Sequence, residues 1–462
     1  MADYDAIVIG GGFAGLSAAV ELTGRGAHVL LLEARPTLGG RATAFTDPQT
    51  GERVDNGQHV LLGCYHETFA FLNAIGAAAH VRLQPTLDVP FIDLEGRRTR
   101  LRCPPLKPPW HLLGGVAEWE ALEMRDRLAA LHLAGPIRLA RRQLRGEVNL
   151  AAASPGETVE AWLKRNGQTN RLREMLWEPL ALAALNQSPR EAAAPPFVRV
   201  LAQMFGGSPK DAAIGIPVRP LDEMYALPAR EYLVQRGSVV RTGSPARVVC
   251  NGNRVEQVLA QNDRFTAEAV IAAVPWFALP ELFVSPPSTL GPTLSSAAAT
   301  ASSPIVTVNL WLDRPVLEAP FVGLPGRTMQ WVFDKRMAFG DNASHLSLVS
   351  SGASDVFRRT NDELMALALD EIMEALPEAR PARVMRATVV REKRATFSLA
   401  PGQPSRPGCR TGVPGLFLAG DWIDTGLPAT IESAVLSGRH AAQAVWALLS
   451  EDHHGGHGGH RD

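Results

Sequence analysis

The chain has 462 residues, 46% hydrophobic and 20% charged, which is enough apolar material for large cores and too much chain for one simple core at about 150 residues per domain. Its 46 basic and 47 acidic residues leave a formal net charge of −1, which gives no electrostatic reason to expect a nucleic-acid partner. The four cysteines, Cys64, Cys103, Cys250 and Cys409, lack zinc-ligand or disulfide-framework spacing, so no metal site is expected and the compartment reads as reducing and cytoplasmic.

In chain order, Asp5 to Ile9 reads as a buried parallel strand, Phe13 to Gly24 as a helix and His28 to Glu33 as a second strand, which together make one βαβ unit. Its short apolar start is a strand rather than a signal peptide, and no run reaches the roughly 18 apolar residues of a membrane span. Prolines crowd residues 103–109. A long Ala/Leu/Arg stretch with helical periodicity then runs from Glu118 to Arg145, and Trp162 to Leu185 gives more helix. Short strands return at 238–241, 247–250, 254–259 and 269–274. Strand-like Pro304 to Leu312 and Thr328 to Phe333 follow, then a helix around Asp362 to Leu376. Gly415 to Asp421 is a buried strand running into a turn, and a helix starts near Thr430 and continues to about Leu449. The Gly/His-rich tail, 450–462, reads as disordered and without a role in the chemistry.

The fold expected is α/β, a Rossmann-type dinucleotide-binding domain interleaved with an α+β substrate domain. The first takes residues 1–80, 216–276 and 391–449, and the second takes 81–215 and 277–390.

Gly10-Gly11-Gly12-Phe13-Ala14-Gly15 matches G-x-G-x-x-G between a strand and a helix. Gly10 serves the tight turn, Gly12 the approach of a pyrophosphate, and Gly15 close packing of helix on strand. The phosphates meet free N–H groups at the helix start, and Glu33 ends the second strand where a carboxylate accepts from ribose hydroxyls, which disfavours NADP. Glu33-Ala34-Arg35 followed by Leu38-Gly39-Gly40-Arg41 resembles the amine oxidase and carotenoid desaturase superfamily of FAD enzymes, and the resemblance implies FAD rather than NAD. It also implies that Gly40 and Arg41 approach the FAD diphosphate, and that Gly420 and Asp421 approach the ribityl phosphate. Ala429, Thr430 and Ile431, at the start of the last helix, would face the pyrimidine end of the flavin, and a backbone group of Val248 would hold the adenine.

The segment Val54 to Tyr65, with Asn56-Gly57-Gln58-His59 at its centre, Met329 to Lys335, and Asp421 to Thr430 resemble more closely the hydroxysqualene dehydroxylase family. That resemblance implies FAD-dependent reductive removal of an allylic hydroxyl from hydroxysqualene, an apolar isoprenoid substrate, with a reductant for FAD that the sequence does not identify. Gly57, Gln58 and His59 would then lie beside the isoalloxazine. The reaction needs an acid for the leaving oxygen, and His59 or Asp424 is the candidate, with Glu432 a weaker third. Structural roles for both His59 and Asp424 stay open. Lys335 resembles the flavin-adjacent lysine of amine oxidases, although a surface position is the expected one. A carotenoid or polyisoprenoid desaturase is the main alternative and an amine oxidase a second. Leu106 to Leu113 and Arg138 to Arg145 suit peripheral attachment to the inner face of a membrane, and an ordinary solvated helix face accounts for the arginines equally well.

Overall fold

A computed structural model describes residues 2–340 and 343–455. Five apolar segments form a parallel sheet: β1 (Tyr4–Ile9), β2 (Val29–Leu32), β3 (Val239–Arg241), β4 (Ala267–Ala272) and β5 (Leu416–Leu418), in the order β3-β2-β1-β4-β5. Each pair is parallel, with Ala6 facing Val29 on one side and Ala269 on the other. A parallel sheet covered on both faces buries every side chain, and the uninterrupted Val/Ile/Leu/Ala runs of β1 and β2 meet that demand. Helix α1 (Phe13–Gly24) and helix α2 (Ile431–Gly455) cover one face, joined by the Ser17 hydroxyl donating to the Val435 carbonyl at 3.0 Å. The three strand sources, near residues 4–32, 239–272 and 416–418, bring the start, middle and end of the chain into one sheet.

The second layer is a seven-stranded sheet. Its order is Val384–Phe397, Ser302–Leu312, Ser344–Ser351, Trp331–Asp334, Phe321–Gly323, Asp88–Ile92 and Arg98–Arg102. All its pairings are antiparallel except that of Gly323 with Phe91. The strand that ends at Phe397 passes the expected division at residue 391, so residues 391–397 pair within this sheet. Helix Asn361–Ala375 closes one face with Leu364, Ala368 and Ile372, and Thr360 and Glu363 cap its start reciprocally.

Residues 110–204 form a helical region, and here the structure departs from the sequence reading. The expected single stretch from 118 to 145 becomes Met124–Ala130 and Ala134–Leu144, joined by a 3-10 turn at Leu131–Leu133, and a separate helix, Trp110–Glu118, ends where that stretch begins. Glu123 and Asp126 start Met124–Ala130 with a capping box, and Pro136 lacks the N–H that would bond it back into the preceding turn. Residues 162–185 are likewise divided, at Asn166 and Gly167, where Gly167 adopts φ +69°. The last helix runs to Gly455, past the expected start of the tail, and residues 456–462 of that tail lie outside the described residues. No helix among the described residues is long and apolar enough to cross a membrane.

Candidate active site

The turn from β1 into α1 is built on backbone contacts that leave no room for side chains. Gly10 has φ +114°, and a Cβ there would lie 2.4 Å from the Ala273 carbonyl oxygen; one on Gly15 would lie 1.9 Å from the Gly10 oxygen. Gly12 differs, because the nearest atom to a Cβ there is the Gly40 Cα at 3.8 Å. The backbones at 12 and 40 thus line a groove in which a Cβ at 12 would make only ordinary van der Waals contact. Helix α1 starts at Gly12 with no side-chain cap and no acid in its first turn, so its first N–H groups are free for an anion. At the end of β2 the buried Glu33 carboxylate accepts from the Gly11 N–H at 2.7 Å and the Arg35 N–H at 2.8 Å, which fixes it at the rim of that groove. Ala34 and Arg35 are exposed, with the Arg35 guanidinium donating to the Gly40 carbonyl at 3.0 Å. A groove walled by glycine backbone, with uncapped donors at one end and an oriented carboxylate at the other, fits an adenine dinucleotide.

Arg41 joins this turn to the far end of the chain. Its guanidinium pairs with the buried Asp421 at 2.5 Å, donates to the Ala395 carbonyl at 2.7 Å and lies 5.5 Å from the Trp276 ring centre. The Gly420 N–H is held by Ser437, and Thr430 caps α2 by accepting from the Ser433 N–H at 3.1 Å, leaving Ala429 and Ile431 part-buried beside it. Val248 is fully buried, and its carbonyl already accepts from the Val284 N–H at 3.0 Å.

Lys335 is not on the surface. It is 1% exposed, and its ammonium donates to Asp55 at 2.6 Å and to Gln58 at 2.7 Å, with the Phe339 ring centre 4.1 Å away. The second Asp55 oxygen accepts from the Leu221 N–H at 2.9 Å. A lysine in so dry a place needs a buried anion, and Asp55, 280 residues away, supplies it. The pair pins the segment that carries His59. His59 Nδ1 lies 3.1 Å from the Gly57 carbonyl, which can only accept, so Nδ1 carries the proton and Nε2 is the uncommitted nitrogen. Burial pushes the His59 imidazole below its ordinary pKa of 6.5; Asp55 opposes that, and Lys335 and Arg41 add to it.

The other two candidate acids are occupied elsewhere. Glu432 is buried and accepts from the Glu67 and Thr68 N–H groups at 3.0 and 2.9 Å and from the Thr68 hydroxyl at 2.7 Å. It therefore caps the helix His66–Ala74, with burial raising its pKa. The Asp424 carboxylate is 59% exposed, closes a turn onto the Gly426 N–H at 3.1 Å and pairs with Arg406 at 3.3 Å. That is a turn residue at the surface.

Sequence reasoning missed Tyr225. Fully buried, it stacks on Phe13 with centroids 3.6 Å apart and donates to the carbonyls of Gly39 and Ala42. No local pattern marks it, because its partners lie more than 180 residues upstream. The helical region encloses a cavity of about 270 Å³ lined by Leu112, Leu133, Ile137, Trp177, Leu201 and Phe205 among others, with Arg138, Arg141, Arg142 and Arg145 also on its lining. Around it, Trp110 (63%), Leu128 (56%) and Leu131 (47%) are exposed.

The flavin-containing amine oxidoreductase family matches residues 13–446, most of the chain. The protein belongs to that family. This flavoenzyme is 31% identical over 452 residues to the hydroxysqualene dehydroxylase of Sinorhizobium fredii, covering 94% of this chain and 96% of that protein. The Zymomonas mobilis hydroxysqualene dehydroxylase is 30% identical over 94% of this chain and 97% of its own. The ζ-carotene desaturase of Synechocystis is 26% identical over 95% of this chain and 96% of that one. Among solved structures, an oxidoreductase from Methanosarcina mazei has the same fold, with a TM-score of 0.75 at 17% identity over 95% of this chain and 99% of that one. FAD is the cofactor of this flavoenzyme, and the glycine-walled groove described above suits it.

Proposed function

We propose that the protein removes the hydroxyl group of hydroxysqualene reductively, giving squalene and water. The end-to-end similarity to hydroxysqualene dehydroxylases, over 94% of the chain, carries this reading. The desaturase alternative rests on a match of lower identity, and no feature of the site favours it.

When bound and reduced, FAD supplies the hydride that reaches the allylic carbon as the C–O bond breaks. The protein has three tasks around that event. Gly10, Gly12, Phe13, Ala14 and Gly15 would present the α1 N–H groups to the diphosphate, and Gly40 and the Arg41–Asp421 pair would help to hold it. Glu33, with the Ala34–Arg35 turn, would take the ribose hydroxyls, Val248 would back the adenine, and Gly57, Gln58, Gly420 and Ala429 to Ile431 would border the flavin.

The second task is a proton for the departing oxygen, and His59 Nε2 is its source. Burial makes the His59 imidazolium a stronger acid than ordinary histidine, which favours transfer to an alcohol oxygen. The Lys335–Asp55 pair holds the His59 segment in place. The third task is to exclude water that would recapture the cation. Burying hydrocarbon contributes about 0.8 kcal/mol per CH₂, so about ten such groups in the apolar cavity give on the order of 8 kcal/mol. The substrate comes from a bilayer. Trp110, Leu128 and Leu131, exposed beside the arginines of Ala134–Leu144, form the surface that docks peripherally on it, at the cytoplasmic face.

The test is anaerobic. Reduced enzyme mixed with hydroxysqualene is expected to reoxidise its flavin with formation of squalene. Inertness to hydroxysqualene, together with bleaching of the oxidised enzyme by phytoene, would overturn the reading. His59→Gln should keep FAD and lose turnover. In the wild type the rate should fall as pH rises through a pKa below 6.5, because the acid must be protonated. A His59→Gln enzyme with near-normal turnover would return His59 to a structural role.

A further inference from the structure

The loop from Ile423 to Pro428, which leads into the start of α2, is held by two arginines from different parts of the chain. Arg406 donates to the Leu427 carbonyl at 2.7 Å and to the Ile423 carbonyl at 3.4 Å. Arg199, on the helix Ala194–Met204, lies flat against Gly426, where a Cβ would come within 2.3 Å of its Nη1. Its one hydrogen bond, to the Thr425 carbonyl, is long at 3.4 Å, and its buried Nε–H has no acceptor among the described residues.

Charge does not balance here. Asp424 is the only carboxylate within ion-pair distance of either guanidinium among the described residues, and it reaches Arg406 alone, at 3.3 Å. Burial lowers the pKa of both arginines; Arg199 adds to the lowering at Arg406, while Asp424 and Asp421 oppose it. Two cations close enough to repel, in a place that disfavours charge, need more counter-charge than one half-solvated carboxylate provides. A cleft of about 120 Å³ opens beside Arg406, with Ser398, Gln403 and Trp422 on its walls.

We propose that the Arg199–Arg406 pair is a binding site for a phosphate-type anion, which takes the position that the Asp424 carboxylate holds at Arg406. A phosphate brings up to two charges and three acceptor oxygens, which matches two planar guanidinium forks approaching from different elements. Asp424 meets Arg406 at Nη2 alone, Nη1 being given to the Leu427 and Ile423 carbonyls, and it leaves Arg199 unmatched. The exposed Asp424 side chain can swing into solvent without disturbing a core. The anion is either free phosphate or the phosphate of a larger molecule. Its occupancy bears on the flavin, because the loop it grips continues into Ala429 to Ile431.

Calorimetric titration of the FAD-loaded protein with inorganic phosphate, and separately with NADPH, at constant ionic strength tests this. Saturable binding of phosphate is expected, about tenfold or more weaker in Arg406→Gln and Arg199→Gln because each loses a charge-assisted fork, and tighter in Asp424→Asn, which removes the competing carboxylate. Phosphate that saturates alone identifies a free anion. NADPH binding that phosphate competes away identifies the phosphate of a larger molecule. Absence of saturable binding by both probes overturns the proposal, as does binding that is unchanged in all three variants. Should an arginine variant fail to fold, Asp424→Asn decides: it must bind phosphate more tightly than the wild type.

Discussion

The parallel sheet with its glycine turn and the helical region around the apolar cavity work on opposite principles. At the turn the backbone is the instrument: uncapped N–H groups, two glycines that cannot carry a Cβ, and one oriented carboxylate define the binding groove to within a fraction of an ångström. Around the cavity most of the lining side chains are apolar and matter for their bulk, beside the four arginines Arg138, Arg141, Arg142 and Arg145. A dinucleotide has fixed charges to match; a flexible hydrocarbon has none. The first region therefore tolerates almost no substitution, and the second tolerates many as long as it stays dry.

The contrast can be broken most severely at Gly15. Gly15→Ala puts a Cβ 1.9 Å from the Gly10 oxygen, both backbone-bound, and should cost more than about 4 kcal/mol, seen as loss of folded protein in thermal scans. Gly12→Ala, where a Cβ would make only ordinary van der Waals contact with the Gly40 backbone, should leave the melting temperature of the FAD-free protein unchanged while FAD content collapses. Equal damage from both would mean that Gly12 serves packing and not the cofactor.

Next in size is the buried ion pair. Lys335→Met leaves Asp55 charged and unpaired, at a cost of about 3–5 kcal/mol in urea unfolding, and Lys335→Met with Asp55→Asn should recover part of that loss. A single variant as stable as the wild type would show that Asp55 reaches water.

Acid should act through His345. This buried imidazole stacks on Trp311, with ring centres 4.2 Å apart, and burial holds its pKa at about 3, well below the ordinary 6.5. Between those values the unfolded chain takes up a proton that the folded chain refuses, so stability is lost as pH falls from about 6.5 toward 3. His345→Gln should flatten that part of the pH profile in denaturant titrations. An unchanged slope would place the acid sensitivity at other groups.

The smallest effect on stability belongs to the helical region. Trp110→Ser and Leu131→Ser, both at exposed positions, should shift stability by no more than about 0.5 kcal/mol and yet weaken co-sedimentation with anionic vesicles. Undiminished vesicle binding would remove this face from membrane contact.

The cofactor end of the molecule was legible because its signals are contiguous: strand, glycines, helix, strand and acid fall within about thirty residues, the span of one βαβ unit. What escaped was every feature whose partner lies far along the chain. Lys335 reads as a surface lysine until Asp55 is found beside it. Glu432 looks like a spare acid beside the flavin, and the helix it caps begins 366 residues earlier, at His66. Arg199 and Arg406 carry no pattern at all in an arginine-rich sequence. The stretch from 118 to 145 reads as one helix because periodicity persists across it, while the cap at Glu123 and the missing N–H of Pro136 act on single residues.

The Arg41–Asp421 bridge spans 380 residues, and strand β5 lies only a few residues before Asp421. A ribosome delivers Arg41 380 residues before the carboxylate that pairs with it, so until then the glycine turn stands without that bridge. A chain cut short before residue 416 would leave the β4 edge unpaired, a ready surface for aggregation.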